Sequence, residues 1–296
     1  MNKIVECVPN FSEGRNLEVI EKIVEEVRLV DEVTLLDYAP DADHNRTVVT
    51  FVGSPDGVSK AAFNLAKKAT ELIDMEIHKG GHPRMGATDV IPFIPVDNIK
   101  MSECVELAET LGAKLAAELN IPVYLYESAA RKPERQNLST IRKGEYEGFK
   151  TKIKLPEWKP DFGKAELHST AGATVVGARP FLVAYNVNLD TSDIKIANRI
   201  ARKVRESSGG LKNIKAMGVK LEERNIVQVS MNLTNYKKTA IYRAFEMVKM
   251  EAKRYGVNVI GSEIIGLLPM DALINSVGYY LQLEGFNKNQ ILEKRI

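Results

Sequence analysis

Cysteine and tryptophan are nearly absent from this chain: among 296 residues there are two of the former, Cys7 and Cys104, and one of the latter. Two cysteines make no disulfide framework, so a packed core must supply the stability, and a reducing compartment is the default setting. Long apolar runs are missing too. Nothing approaches the roughly 20 apolar residues that a membrane helix needs. The N-terminal MNKIVECVPNFSEGRN meets charge at Glu6 before any signal-peptide core has formed. These absences predict a cytoplasmic protein with no membrane partner. A dominant charge is lacking as well: 41 basic residues against 39 acidic ones leave +2, which gives no reason to expect nucleic acid. There is no CxxC pair, no Gly-x-Ser-x-Gly elbow, no GxGxxG and no Walker pattern. What remains is ordinary for a globular protein, with 44% hydrophobic and 27% charged residues in a chain long enough for one large domain or two modest ones.

Periodicity supplies the architecture. Residues 4–8 are short and apolar enough for a strand, ended by Pro9 and Asn10. Leu17, Ile20, Val24 and Val27 recur at helical spacing. Residues 33–36 and 47–52 read as strands around an acidic loop, and Ser54-Pro55 is a helix start. Residues 90–96 are apolar but interrupted by Pro92 and Pro95. Ser102 is a candidate cap for a third helix, and residues 122–125 read as a strand. The second half repeats the order: strand 181–189, helix from Ile196, strands 216–221 and 226–233, helix from Ile241, strand 257–265 and helix 271–281. Strand–helix–strand–strand–helix–strand twice is a split βαβ pattern. The fold expected is α/β (α+β): two similar βαββαβ-type subdomains, with helices covering one side of antiparallel-rich sheets and a ligand cleft between them. The bounds expected are 1–178 and 179–296. Residues 131–178 read as linker-like, because 131–164 carry ten Lys/Arg against five Asp/Glu, three prolines and little periodicity. Such a stretch is either a solvated linker or an anion-facing surface.

Four clusters could carry chemistry. The densest is His78-Lys79-Gly80-Gly81-His82-Pro83-Arg84-Met85-Gly86-Ala87-Thr88-Asp89. Glycines let backbone approach a ligand, and a histidine between Gly81 and Pro83 has an unperturbed pKa suited to two-way proton transfer. A tight turn with incidental histidines is the plain alternative. Metal ligation by His78 and His82 is disfavoured because Gly80, Gly81 and Pro83 break the helix it would need, so no metal is expected. The second cluster, Asn10 to Arg15, follows a strand end, where Arg15 could clamp a carboxylate or the segment could simply cap a helix. The third runs from Asp37 through Asp41, Asp43, His44 and Asn45 to Arg46, and could be no more than a solvated hairpin loop. The fourth, Thr170 to Arg179, is small-residue rich and suits close packing between the halves or the close approach of a flat ligand. Cys7 reads as a buried small hydrophobe.

Several blocks resemble the formiminotransferase family: ECVPNFSEGRN at 6–16, NRTVVTFVGSP at 45–55, LIDMEIHKGGHPRMGATDVIPFIPV at 72–96, IPVYLYESAAR at 121–131, GEYEGF at 144–149, GATVVGARPFLVAYNVNL at 172–189, NIVQVSMNL at 225–233 and VIGSEIIGLLP at 259–269. They span nearly the whole chain in the family's order. The resemblance implies two subdomains holding folate between them, a homodimer, and a catalytic histidine at His82. It implies transfer of a formimino group from N-formimino-L-glutamate to N5 of tetrahydrofolate, which is a co-substrate. The cyclodeaminase fused to animal members is expected to be absent here, leaving ring closure of the product to another protein. Asn10, Arg15, Asp37, Asp41, His44, Asn45, Arg46, Lys79, Arg84, Gly172, Thr174 and Gly177 are the residues expected to hold the substrates. Arg15, Arg46, Lys79 and Arg84 would anchor the carboxylates of glutamate and of folate polyglutamates, and Asp37, Asp41 or Asp43 would stand near the amidine. The acidic loop differs from the animal pattern in the placing of its acids. Two other activities stay open at this level: N-formyl-glutamate-dependent formyl transfer by the same site, and folate binding without catalysis.

Overall fold

The computed structural model describes residues 2–294, and the chain divides into two compact units, one ending at Arg179 and the other beginning at Pro180. The first contains β1 (Ile4–Cys7), β2 (Asn10–Phe11), α1 (Leu17–Arg28), β3 (Val33–Asp41), β4 (Arg46–Gly53), α2 (Pro55–Leu72), β5 (Thr88–Asp97), α3 (Met101–Leu119), β6 (Val123–Glu127), α4 (Leu138–Ile141), α5 (Glu145–Lys152) and β7 (Thr174–Ala178). The second contains β8 (Val183–Leu189), α6 (Ile194–Val204), β9 (Ile214–Leu221), β10 (Ile226–Leu233), α7 (Ile241–Lys253), β11 (Val259–Ile265) and α8 (Met270–Tyr280).

Local chemistry explains the boundaries. Asn16 caps α1 by accepting from the Glu18 and Val19 N–H groups, and the helix buries Ile20, Ile23, Val24 and Val27. Ser54 caps α2 through the Gly57 N–H, with Pro55 in the first turn. The third helix starts two residues earlier than Ser102 as its cap would place it. Lys100 is the cap position, and the Glu103 carboxylate accepts from the Lys100 N–H at 3.0 Å.

The two halves share more than element order. In the second unit the strands lie β11-β8-β10-β9, all antiparallel. In the first, β5 pairs β1, β1 pairs β4 and β4 pairs β3, again antiparallel. Numbered within each half, both sheets run 4-1-3-2, the order of a split βαβ, ferredoxin-like layer. The first unit then extends this sheet. β7 lies parallel between β5 and β6, with Val90 opposite Val175 and Leu125 opposite Val176.

The segment read as linker-like is a packed layer. Alternate residues of the extended sheet face opposite ways. Ile91, Phe93, Val123, Leu125 and Val176 join the core under α1, α2 and α3. Val90, Tyr124, Tyr126 and Val175 face the other side, where they pack with Ile141, Phe149 and Ile153. The Phe149 ring meets Tyr124 edge-on at 5.2 Å, and burying each such side chain is worth about 1.5–3 kcal/mol. Lys152 locks the layer, donating to the carbonyls of Thr140, Ile141 and Lys143 at 3.2, 2.8 and 3.1 Å over the Trp158 ring. Helices of four and eight residues are too short to show a period in sequence. The expectation of helices on one side of each sheet fails here for the same reason.

Candidate functional site

The hairpin between β3 and β4 organises the site. Its turn places Asn45 in the left-handed region at φ 48°, which asparagine tolerates better than most residues. Asn45 is buried and ties three segments together. Its Oδ1 accepts from the Gly14 N–H at 2.9 Å, its Nδ2 donates to the Lys79 carbonyl at 3.0 Å, and its own carbonyl lies 3.0 Å from His78 Nε2. The loop before β5 lies along the same turn, with the Gly81 and His82 N–H groups donating to the carbonyls of Asp43 and His44. Gly80 is required for this approach, since a Cβ there would stand 2.3 Å from the His44 carbonyl oxygen.

These contacts deliver His82, only 8% exposed, to a cluster of charges. Its Nε2 is 3.5 Å from Asp89 Oδ2, and its Nδ1 is 3.3 Å from an Arg46 terminal nitrogen. Asp89 is fully buried at the start of β5. Its Oδ1 accepts from the Met85 N–H at 2.9 Å, and its Oδ2 accepts from Arg142. Burial would push the Asp89 carboxyl up, but the Arg142 guanidinium and its hydrogen bonds hold it below its ordinary value. Burial also holds the His82 imidazole below its ordinary value against the pull of Asp89, and Arg142 and Arg46 add to the lowering. The ring is therefore neutral at neutral pH. Facing an acceptor at one nitrogen and a donor at the other, it carries its proton on Nε2 and its lone pair on Nδ1. A neutral imidazole held this way can take a proton and return it. Four buried polar atoms of this neighbourhood have no hydrogen-bond partner: His82 Nε2, Arg46 Nε, Arg142 Nε and the Thr88 hydroxyl.

The other expected residues divide. Asn45 and Arg46 join His82. Asp41 does not reach it; it caps its own turn, accepting from the His44 N–H at 2.9 Å and meeting His44 Nδ1 at 2.7 Å. Asp37 is exposed along β3 opposite Thr50, and Asp43 is exposed in the turn, so the acid beside His82 is Asp89. Arg84, an expected anchor, is buried and already engaged by Glu147 at 2.7 Å and Glu145 at 2.9 Å. Together with exposed Lys79 it lines an open hollow of about 420 Å3 that also includes Gly80, Gly144, Glu145 and Glu147. Arg15 is exposed and donates to the Ala42 carbonyl, and Asn10 donates to the Val8 carbonyl. Gly172, Thr174 and Gly177 serve the extended sheet of the first unit. Gly172 sits at φ 71° against the Met85 carbonyl, Thr174 donates to the Thr88 carbonyl at 2.8 Å, and Gly177 lies against the Tyr126 ring. Asp89 and Arg142 were not singled out as site residues from sequence. Asp89 closes the His78–Asp89 cluster, so its place there was the available signal. Arg142 gave no signal toward His82, because its segment reads as either a solvated linker or an anion-facing surface. Among the described residues no group of three or more His, Cys, Asp or Glu could hold a metal ion, and no helix is long and apolar enough to cross a membrane.

Comparison with known proteins gives one family along the whole chain. The formiminotransferase domain, N-terminal subdomain, matches residues 4–179, and the formiminotransferase domain matches residues 184–295. A glutamate formimidoyltransferase of Streptococcus pyogenes serotype M1 is 54% identical over 297 residues, covering 100% of this chain and 99% of that protein. One from Thermoplasma acidophilum is 50% identical, covering 99% of this chain and 97% of its own. The formimidoyltransferase-cyclodeaminase of Mus musculus is 47% identical over 96% of this chain, which spans only 53% of the mouse protein.

Proposed function

The chain belongs to the formiminotransferase family and is a transferase, and from that premise we propose that it moves the formimino group of N-formimino-L-glutamate onto N5 of tetrahydrofolate. The observation that carries the chemical reading is the neutral, buried His82 between Asp89 and Arg46. N5 adds to the amidine carbon, the tetrahedral intermediate forms, and the C–N bond to glutamate breaks. One proton must leave N5 and one must reach the departing nitrogen. His82 does both in turn, a contribution of ~10²–10⁴-fold. Asp89 keeps the ring oriented and stabilises its charged form, and side-by-side binding of the two substrates supplies a further share through proximity.

Exposed Lys79 and the half-buried Arg46 are the cations free to meet glutamate's carboxylates; Arg84 is held by its own acids. We take folate polyglutamates as the physiological acceptor, a cytoplasmic homodimer as the working form, and no metal as a requirement. The deciding assay is glutamate release with tetrahydrofolate and either N-formimino- or N-formyl-glutamate. Release from the formimino donor alone is expected. Release only from the formyl donor would make this a formyltransferase, and release from neither would leave a folate-binding protein without catalysis. Activity should survive EDTA; loss restored by zinc would refute the metal-free reading.

A further inference from the structure

The arginines of the first unit are not all satisfied in the same way. Arg84 is paired with Glu145 and Glu147, Arg135 with Asp161 at 2.7 Å, and Arg142 with Asp89. Arg46 is half-buried, yet among the described residues no carboxylate lies within ion-pair distance of it. Its guanidinium makes one hydrogen bond, to the neutral Nδ1 of His82 at 3.3 Å, and its Nε is buried with no partner. A guanidinium has five N–H donors and matches a carboxylate through two parallel bonds. One long bond to an imidazole leaves most of that capacity unused. That bond also covers the lone pair a proton-transferring histidine needs, because the other ring nitrogen faces Asp89.

We propose that Arg46 is a gating residue. In the ligand-free protein it masks His82 Nδ1, and a carboxylate of the glutamate-bearing donor draws it off and so exposes the base only when that donor is bound. The inference rests on the function proposed above. The proton accounting is unchanged. The freed Nδ1 takes the proton from the attacking nitrogen as the new C–N bond forms, and returns it to the glutamate nitrogen as the old one breaks. A carboxylate-free amidine would find the base covered, so the gate discriminates against small amidines without touching the reacting carbon. The charged and titratable groups facing His82 are Asp89 on β5, Arg142 at the end of α4 and Arg46 on β4.

The test compares two donors, N-formimino-L-glutamate and formamidine, in wild type and in Arg46→Gln, with the His82 ring followed by NMR titration. Arg46→Gln should turn over the glutamate-bearing donor at least about tenfold more slowly. It should turn over formamidine about tenfold faster, the equivalent of one charged hydrogen bond removed from the base. His82 should titrate at higher pH in the variant, and adding L-glutamate alone to the wild type should shift its midpoint the same way. Equal slowing of both donors, or a His82 titration that ignores both the substitution and glutamate, overturns the gate. Should Arg46→Gln fold poorly, the glutamate titration of the wild type decides by itself. Wild type that releases no glutamate from the formimino donor would instead refute the function, a failure distinct from this one.

Discussion

The two units are built on one plan, and the first adds to it the charged cluster around His82. Each has the 4-1-3-2 sheet. Each turns its central hairpin through an asparagine in the left-handed region, Asn45 at φ 48° and Asn225 at φ 47°. Around Asn225 the turn closes on itself, with its N–H donating to the Glu222 carbonyl, and among the described residues its exposed side chain fastens no other segment. Around Asn45 two further loops are docked, and one carries His82. The first strands differ in the same spirit. In β8, Asn188 sits between core residues Val187 and Leu189 and accepts from its cross-strand partner Gln228 at 2.8 Å. In β1, Glu6 sits between core residues Val5 and Cys7 with Val52 and Ile94 as its cross-strand neighbours. In the second unit this buried pair satisfies itself across the strands, while Asn213 Oδ1 is buried without a partner. The first keeps ionisable groups in apolar surroundings, which is where shifted pKa values and function arise together.

The largest effect should come from removing the group that distinguishes the units. His82→Ala should lower kcat for glutamate release by ~10²–10⁴-fold with little change in the circular dichroism spectrum. Wild-type kcat in that variant would leave Asp89 and the arginines as the whole of the site and remove the histidine from the mechanism.

Next in size is the pH dependence of Glu6. Burial pushes its carboxyl up to about 7, partly opposed by Arg179. Unfolded, it ionises near its ordinary value. As pH rises from about 4.5 to about 7 the unfolded state gives up the proton first, so wild-type stability falls across that window and stays lower above it. Glu6→Gln removes the penalty. It should match wild type at pH 4 and exceed it at pH 8.5 by up to about 3 kcal/mol, read from urea midpoints. Asn188→Asp in the second unit asks the converse: a new buried carboxylate should bring in the same kind of pH-dependent loss that wild type lacks there.

The hairpin asparagines give a direct pairwise test. Asn45→Ala loses the left-handed preference and leaves the buried Gly14 N–H and Lys79 carbonyl without their partner, costing about 3 kcal/mol. Asn225→Ala loses only the backbone preference, at about 1 kcal/mol. Equal costs would mean that the docked loops hold their positions without Asn45.

Most of this architecture was legible in the sequence because apolar spacing in α1, α2, α6 and α7 is long enough to reveal a period, and the hairpins are bracketed by turn residues. His82 and its glycines stood out because unusual residues were dense there. Sequence missed what depends on distant pairing. Arg142 lies 53 residues from the Asp89 it binds, in a segment whose lysines and prolines disguise a packed layer. The Thr170–Arg179 cluster read as either a close-packing surface or a ligand contact, because small residues suit both, and in the structure it packs within the extended sheet of the first unit. Of the acids in the third cluster, Asp41 is engaged by its own turn, and Asp37 and Asp43 are exposed.

The smallest effect is expected from the basic charge of the layer that the first unit adds to the shared plan. Residues 131–164 hold a net +5, which on charge alone should attract the anionic tail of a polyglutamylated folate. Much of that charge is committed locally: Arg131 to Glu109, Arg135 to Asp161, Arg142 to Asp89 and Lys150 to Glu76. Lys143, Lys154, Lys159 and Lys164 are exposed, and their field is screened beyond roughly 8–10 Å at physiological salt. Replacing those four with Gln should therefore raise KM for a polyglutamylated acceptor by no more than about threefold and flatten its salt dependence, leaving the monoglutamate unaffected. Arg131→Gln, which breaks an exposed ion pair, should change neither. A tenfold rise in KM from the four lysines would make the layer a tail-binding surface in its own right. An unchanged salt slope would mean that its role is to cover β5, β7 and β6 and to hold Arg142 against Asp89.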